Sequence, residues 1–275
     1  MRREVREPAV AGLFYPAEPE ILRKEVQHLL HEATASTAKG KAIALVLPHA
    51  GYMYSGFTAS IGYKLLSKKT FDTIVIVSPS HREYFNGISV YDGTAFKTPL
   101  GNLPIDQELA DALVDDNIII RSEDGHRKEH AIEVHLPFLQ TLFDTVKILP
   151  IVMGDQRRTL CFYLGDKLAE VLQRKNVLLL ASTDLSHYHT YEEANLLDKI
   201  VLTDIASFDI EKLMDDLETQ RIEMCGGGPT VAVLRAAKLL GATRTEILQH
   251  CNSGDVTGEH DRVVGYLSAA AYKTH

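Results

Sequence analysis

Four short aliphatic runs constrain the fold of this chain more than any other feature. They lie in KAIALVLPH, DTIVIVSPSH, VKILPIVMGD and NVLLLASTDLSH, and their apolar residues are successive rather than alternate. Strands of this kind are buried on both faces, as in a parallel sheet covered by helices. Amphipathic stretches such as RRTLCFYLGDKLAEVLQRK separate the runs. This alternation predicts a single α/β domain over residues 1–275, with a central, mostly parallel sheet flanked by helices on both faces.

Charge and hydropathy argue against several classes of partner and location. A formal net charge of -8 leaves no basic footprint for nucleic acid or for an anionic membrane surface. No apolar segment approaches the roughly 20 residues of a membrane span, and the start MRREVREPAV lacks a signal-peptide core. The three cysteines have scattered spacing that predicts no disulfide framework. We therefore expect a cytoplasmic protein.

Polar residues follow the predicted strands at the point where each strand ends. The first two runs lead to His49 and His81, and the fourth leads to Asp184 and His187. The carboxyl ends of parallel strands share one edge of a sheet, and ligands bind in the crevice outside that edge. Each histidine alone is more typical of a loop that faces water. Their joint placement predicts a site.

A second cluster of histidines and carboxylates lies in GHRKEHAIEVHLPF. His130 and Glu133 are three residues apart, which predicts that they share a helix face. The spacing differs from that of a self-contained HExxH zinc motif. Glu133 either orients a ligand histidine or acts as an acid/base; alternatively, the carboxylates cap a polar helix start. Both residues are candidates to line the pocket or support its ligands.

Cys225 precedes a predicted helix in CGGGPTVAVLRAAKLL. Glycines and Pro229 are typical of a helix N-terminus, where the helix dipole and free N–H groups favour a thiolate. A thiolate is a nucleophile or a ligand for iron, copper or zinc; the alternative is a small residue that fits a tight turn. Two further pocket candidates are Tyr54, which either walls the site or packs, and Asp255, in a polar loop after a predicted strand.

Six motifs together resemble those of one known family. REPAVAGLFYP, LPHAGYMYSG, SPSH, EHAIEVHLPFLQ, STDLSHY and CGGGP occur here in the order found in proteins of the Memo family, and they span nearly the whole chain. The chain resembles the prokaryotic type labelled protein B of AmmeMemoRadiSam systems. Such proteins are similar in fold to class III (LigB-type) extradiol dioxygenases, which implies the same helix-flanked sheet.

The resemblance also implies roles for individual residues. It implies His49, His81 and Cys225 as metal ligands, with Fe(II) or Cu bound and Zn as a further fit. His187 matches an acid/base histidine, with Asp184 as its partner. Class III dioxygenases use two histidines and one carboxylate. A cysteine in the third place favours Cu(I) and Zn(II) and is itself oxidisable, so ring cleavage does not follow from the fold.

Three functions stay open on the sequence alone. The first is a metal-dependent oxidoreductase that uses His187 and Asp184 in proton transfer. The second is a non-catalytic protein that binds a small molecule, a peptide or a protein partner in the same pocket; the resemblance implies a radical-SAM enzyme and an AMMECR-type protein as partners. The third is a metal-free hydrolase or transferase with Cys225 as nucleophile and His187 as base.

Overall fold

Strands and helices alternate along most of the chain in a computed structural model that describes residues 4–34, 40–115 and 117–274. The strands are β1 (Val5–Arg6), β2 (Lys41–Leu47), β3 (Thr73–Pro79), β4 (Ile88–Tyr91), β5 (Ala95–Thr98), β6 (Gly101–Pro104), β7 (Ile119–Ser122), β8 (Lys147–Met153), β9 (Val177–Ser182), β10 (His187–His189), β11 (Arg244–Asn252) and β12 (Val263–Lys273). The helices are α1 (Pro19–Glu32), α2 (Phe57–Lys64), α3 (Gln107–Leu113), α4 (Leu136–Leu142), α5 (Arg158–Val171), α6 (Tyr191–Ser207), α7 (Ile210–Glu218), α8 (Gly227–Leu239) and α9 (Ser253–Thr257). A π-helical turn at Tyr52–Gly56 precedes α2, and a 3-10 turn at Glu133–His135 precedes α4.

The four aliphatic runs form the centre of the main sheet. Its strand order is β10-β12-β2-β9-β3-β8-β4-β7, and β11 also pairs with β12. Strands β2, β9, β3 and β8 are mutually parallel, which confirms the predicted α/β class. Antiparallel pairs, β12 with β2 and β4 with β8, flank this parallel centre on both sides.

Helices cover the sheet on both faces, as the continuous apolar runs predicted. Ala44 and Val46 of β2 pack in a core with α3, α5, α6, α7 and α8. Leu45 and Leu47 of the same strand pack in the opposite core with α1, α2 and α4. Successive side chains of a strand point to opposite faces, so each run contributes to both cores. Within the described ranges, no helix has the length and apolarity needed to cross a bilayer.

A small second sheet, β1-β5-β6, ties the N-terminal segment to the rest of the molecule. Arg6 of β1 pairs in register with Phe96 of β5, and its guanidinium lies 4.9 Å from the centre of the Phe96 ring. The Arg6 side chain is only 4% exposed. Its polar partners distant in sequence lie in the segment 126–133, which forms part of the candidate site.

Candidate metal centre

Four predicted site residues lie just outside regular elements that meet at one sheet edge. His49, His81 and Asp184 each come two residues after a parallel strand, namely β2, β3 and β9. Cys225 comes two residues before α8. Because β9 lies between β2 and β3, the carboxyl ends of these three strands are adjacent. The topology therefore brings residues from distant parts of the sequence to one place.

The side chains of His49, His81 and Cys225 converge. Their potential ligand atoms all lie within 4.8 Å of one another. Cys225 Sγ is 3.2 Å from His49 Nε2, and the two imidazole centroids are 5.0 Å apart. His49 is 2% exposed, whereas the His81 side chain is 28% exposed. The centre is therefore buried on the His49 side and accessible to solvent on the His81 side.

His49 is held from both its backbone and its ring. Its N–H donates to Asp184 Oδ1 at 2.8 Å, and its Nδ1 lies 2.7 Å from Ser182 Oγ. Burial, followed by the charges of neighbouring imidazoles, lowers the pKa of His49 well below its usual range. The ring is therefore neutral, as a histidine that binds a metal must be.

Cys225 is held by the backbone of Asp184. The Asp184 N–H donates to Sγ at 3.2 Å, and the Cys225 N–H donates to Asp184 O at 3.3 Å. The expected thiolate is wrong for the isolated side chain: burial, then the Asp184 charge, raises the pKa of Cys225 above its usual value. Desolvation of a charge outweighs the hydrogen bonds that would stabilise it. Binding of a metal cation would displace the thiol proton.

Glu129, which the sequence reasoning missed, orients His81. Its carboxylate accepts from the His81 N–H at 2.6 Å and lies 2.9 Å from His81 Nδ1. It also accepts from the N–H groups of His130 and Ala131, at 2.9 and 3.0 Å. Burial acts to raise the pKa of Glu129, but hydrogen bonds from His130 and His81 outweigh it and hold the pKa well below the usual range. An ionised carboxylate only accepts, so His81 Nδ1 carries a proton and Nε2 is free to bind a metal.

His130 lies at the centre, whereas Glu133 points away from it. The His130 ring is 4.7 Å from that of His81 and 5.3 Å from that of His49. His130, Glu129 and His81 also form a second group whose ligand atoms lie within 4.8 Å of one another. The predicted shared helix face is wrong, because residue 130 precedes the 3-10 turn that begins at Glu133.

The Glu133 carboxylate instead anchors the N-terminal segment. It pairs with Arg6 and accepts from Ala9 N at 2.7 Å, Val10 N at 3.0 Å and Tyr15 Oη at 2.6 Å. Arg6 also donates to the carbonyls of Glu129 and His126. These bonds fix the main chain of the segment that carries Glu129 and His130. Glu133 therefore supports the centre through the backbone.

Asp184, one member of the predicted acid/base pair, lies close to the ligand group. Asp184 Oδ2 is 3.9 Å from His49 Nε2. Burial raises the pKa of Asp184, and the His49 N–H and the charge of His187 act in the opposite direction. His187 is half-buried at the start of β10, where it pairs with Val264 of β12. Its role in proton transfer stays a prediction.

The other two pocket candidates lie elsewhere in the local structure. Asp255 caps α9: its carboxylate accepts from Asn252 N at 2.8 Å and from Tyr191 Oη at 2.7 Å. This explains its presence in a polar loop without any role at the centre. Tyr54 lies in the π-helical turn that follows His49 and is 36% exposed. Its side chain is therefore partly at the surface.

Sequence comparison assigns the chain to a family. The sequence pattern that defines the family described as "Memo-like protein" matches residues 6–270. The chain belongs to the Memo-like family. A "MEMO1 family protein" of Methanosarcina mazei is 42% identical over 268 residues, covering 96% of this chain and 98% of the relative. Another from Methanococcus maripaludis is 39% identical over 279 residues, covering 96% and 98%.

A solved structure shares the fold at low sequence identity. The match to the crystal structure of an uncharacterized protein from Escherichia coli K12 covers 84% of this Memo-like chain and 99% of the chain in that structure, with a TM-score of 0.53 and 16% identity. This likeness concerns the fold alone. The resemblance inferred from six motifs is thus confirmed at the level of the family.

The donor set of this Memo-like protein fits a transition metal. Two imidazoles and one thiol are ligands that suit Cu, Zn and Fe better than they suit hard cations such as Mg²⁺ or Ca²⁺. The other ring nitrogen of each histidine lies within hydrogen-bond distance of a buried oxygen, of Ser182 for His49 and of Glu129 for His81. Supporting bonds of this kind fix ligand orientation in metal sites.

Proposed function

We propose that this Memo-like protein binds a transition metal through His49, His81 and Cys225, with Fe(II) or Cu as the metal and Zn as a further fit. The convergence of these ligand atoms within 4.8 Å carries the proposal. Support also comes from Glu129, because a buried carboxylate bonded to a ligand histidine increases the basicity of that histidine. The proposal also requires that the thiol of Cys225 is reduced. All three cysteines are free, which agrees with a reducing cytoplasm as the location.

Metal content after anaerobic purification tests the proposal. We expect about one equivalent of iron or copper in the wild-type chain. The variants His49→Ala and Cys225→Ala should lose this metal. Cys251→Ala is the matched control, because Cys251 contacts Thr58 rather than the centre. A wild-type chain that takes up no iron, copper or zinc under anaerobic loading would overturn the proposal.

We further propose that the protein is an oxidoreductase. Iron or copper, when bound, would supply redox chemistry that the side chains lack. The half-buried His187 carries an imidazole, the side chain that most often serves as a general acid or base. Asp184 would hold His49 by accepting a hydrogen bond from the His49 N–H, and the charge of His187 lowers the pKa of Asp184.

Oxygen consumption with catechols and other phenols tests this activity. His187→Gln should lower turnover by about 10²–10⁴-fold, the usual contribution of a general acid or base. His189→Gln is the control on the same strand, since His189 pairs with Glu223. Metal binding without oxygen consumption across the substrate panel would remove the oxidoreductase proposal and leave the metal site intact.

A binding function is the second candidate, and exposed apolar side chains favour it. Met53, Tyr54 and Phe57, which follow His49 in the chain, are 68%, 36% and 44% exposed. Adjacent exposed apolar residues are typical of a surface that contacts a ligand or partner. We propose a small molecule or peptide as ligand, and radical-SAM and AMMECR-type proteins as partners. Co-purification should weaken in Met53→Ser/Phe57→Ser but persist in Leu239→Ser, whose side chain is 59% exposed at the end of α8.

A further inference from the structure

The hydroxyl of Ser182 has three polar partners in the interior of the protein. Its Oγ lies 2.7 Å from Ala131 O, 2.7 Å from His49 Nδ1 and 2.9 Å from His135 Nε2. Ser182 is 0% exposed, His135 is 1% exposed and His49 is 2% exposed. These contacts are therefore shielded from solvent.

The three partners determine where each proton lies. A serine hydroxyl has one proton and two lone pairs. The carbonyl of Ala131 can only accept, so the single proton of Ser182 points to it. Both lone pairs then face ring nitrogens, which must each carry a proton to make a hydrogen bond. His49 is thus protonated on Nδ1, and His135 is protonated on Nε2.

Tyr63 completes the arrangement on the far side of His135. The tyrosine Oη lies 2.8 Å from His135 Nδ1, and Tyr63 is fully buried. With a proton on Nε2, a neutral His135 has its lone pair on Nδ1 and accepts the Tyr63 O–H. In this series of hydrogen bonds from Tyr63 to His49, each N–H therefore faces an acceptor, and the lone pair of His135 faces a donor.

We infer that Ser182 is a positioning residue that fixes the proton of His49 on Nδ1 and so leaves Nε2 as the nitrogen presented to Cys225 and to a metal. The opposite tautomer would place an N–H on Nε2, where Cys225 Sγ at 3.2 Å would accept it. In that state Nε2 has no lone pair for a metal. Two different groups thus orient the two ligand histidines: the carboxylate of Glu129 orients His81, and the neutral hydroxyl of Ser182 orients His49.

The tautomers are directly measurable in the full-length chain labelled with ¹⁵N-histidine and freed of metal by a chelator. Long-range ¹H–¹⁵N spectra should show His49 protonated on Nδ1 and His135 protonated on Nε2. Ser182→Ala should shift His49 toward the Nε2–H form. Ser89→Ala is the matched control, because Ser89 is equally buried in β4 and its Oγ donates to Ser122 O.

A wild-type His49 that carries its proton on Nε2 would overturn the inference, whether or not Ser182→Ala folds. An unchanged His49 tautomer in a folded Ser182→Ala variant would overturn it as well.

The consequence for metal affinity rests on the proposed function and needs a separate measurement. With Zn²⁺ alone as the probe, Ser182→Ala should weaken binding by about 10–100-fold, and Ser89→Ala should not. If the wild-type chain binds no metal, the proposed function fails, and the tautomer spectra still decide the assignment. If it binds Zn²⁺ and Ser182→Ala binds equally well, the positioning role is wrong.

Discussion

Replacement of Glu133 by glutamine tests whether the buried pair with Arg6 stabilises the fold around the centre. Glu133 is 0% exposed, and each carboxylate oxygen has two donors: Arg6 and Ala9 N on Oε2, and Val10 N and Tyr15 Oη on Oε1. Glutamine has nearly the same shape, but one of its two terminal atoms is an NH₂ group that cannot accept. If the NH₂ replaces Oε2, Arg6 and Ala9 N lose their acceptor; if it replaces Oε1, Val10 N loses its acceptor, whereas the Tyr15 hydroxyl can rotate and accept. In both cases Arg6 loses its counter-charge.

Two routes give a similar magnitude for this loss. Hydrogen bonds to charged groups contribute about 1.5–3 kcal/mol each, so one or two lost bonds correspond to about 1.5–6 kcal/mol. Removal of one partner from a buried ion pair costs about 3–5 kcal/mol, because the other charge stays buried. We expect Glu133→Gln to lower the free energy of unfolding by a value in this range.

Urea denaturation, with midpoint and slope fitted separately, measures the effect. Glu7→Gln is the matched control, because the Glu7–Lys97 pair at 3.0 Å has side chains 67% and 47% exposed. An exposed pair of this kind contributes about 1 kcal/mol or less. If both variants lose the same small amount, the argument from burial is refuted. Tyr15→Phe removes a single donor and provides a milder test should Glu133→Gln not fold.

Two further predictions concern acid stability and the packing beneath Cys225. Burial lowers the pKa of His126 from 6.5 to about 3, so as pH falls from 6.5 toward 3 the unfolded chain takes up a proton that the folded chain does not. The free energy of unfolding should therefore fall as pH falls. His126→Phe should reduce its dependence on pH by about 1.4 kcal/mol per pH unit, measured by urea denaturation at a series of pH values; an equal dependence in both proteins would contradict this. In Gly226→Ala the new Cβ would lie 2.1 Å from Ser182 O, so either the end of β9 or the segment that carries Cys225 must shift, whereas in Gly51→Ala the nearest atom is 3.5 Å away. Zn²⁺ binding and the melting temperature should fall in the first variant only, and retention of both in Gly226→Ala would refute the packing argument.

The parallel centre of the sheet and the main ligand group could be predicted because both depend on local patterns. Continuous aliphatic runs specify strands buried on both faces, and the residues just after them fall at one edge. His49 and His81 were found in this way. The antiparallel flanks were not, because direction within a mixed sheet depends on pairing between segments distant in sequence.

The polar support of the centre could not be predicted for a related reason. Arg6 and Glu133 are 127 residues apart, and nothing in either local sequence indicates the other. The EHAIEVH segment reads as a helix, but Glu129 bonds to the N–H groups that follow it, and regular helix begins only at Leu136. The pKa of Cys225 depended on burial, which the helix N-terminus signal does not reveal.

The place of β2 within the sheet has a consequence for biosynthesis. β2 leads into His49 and lies between β9 and β12, and Val46 pairs with Ala269 of β12. One edge of this apolar strand therefore stays unpaired until residues 263–273 have left the ribosome. Unpaired apolar edges are templates for aggregation. Products that stop before Val263 should therefore accumulate as insoluble material, because β12, which is made late, covers the edge of the strand that leads into His49.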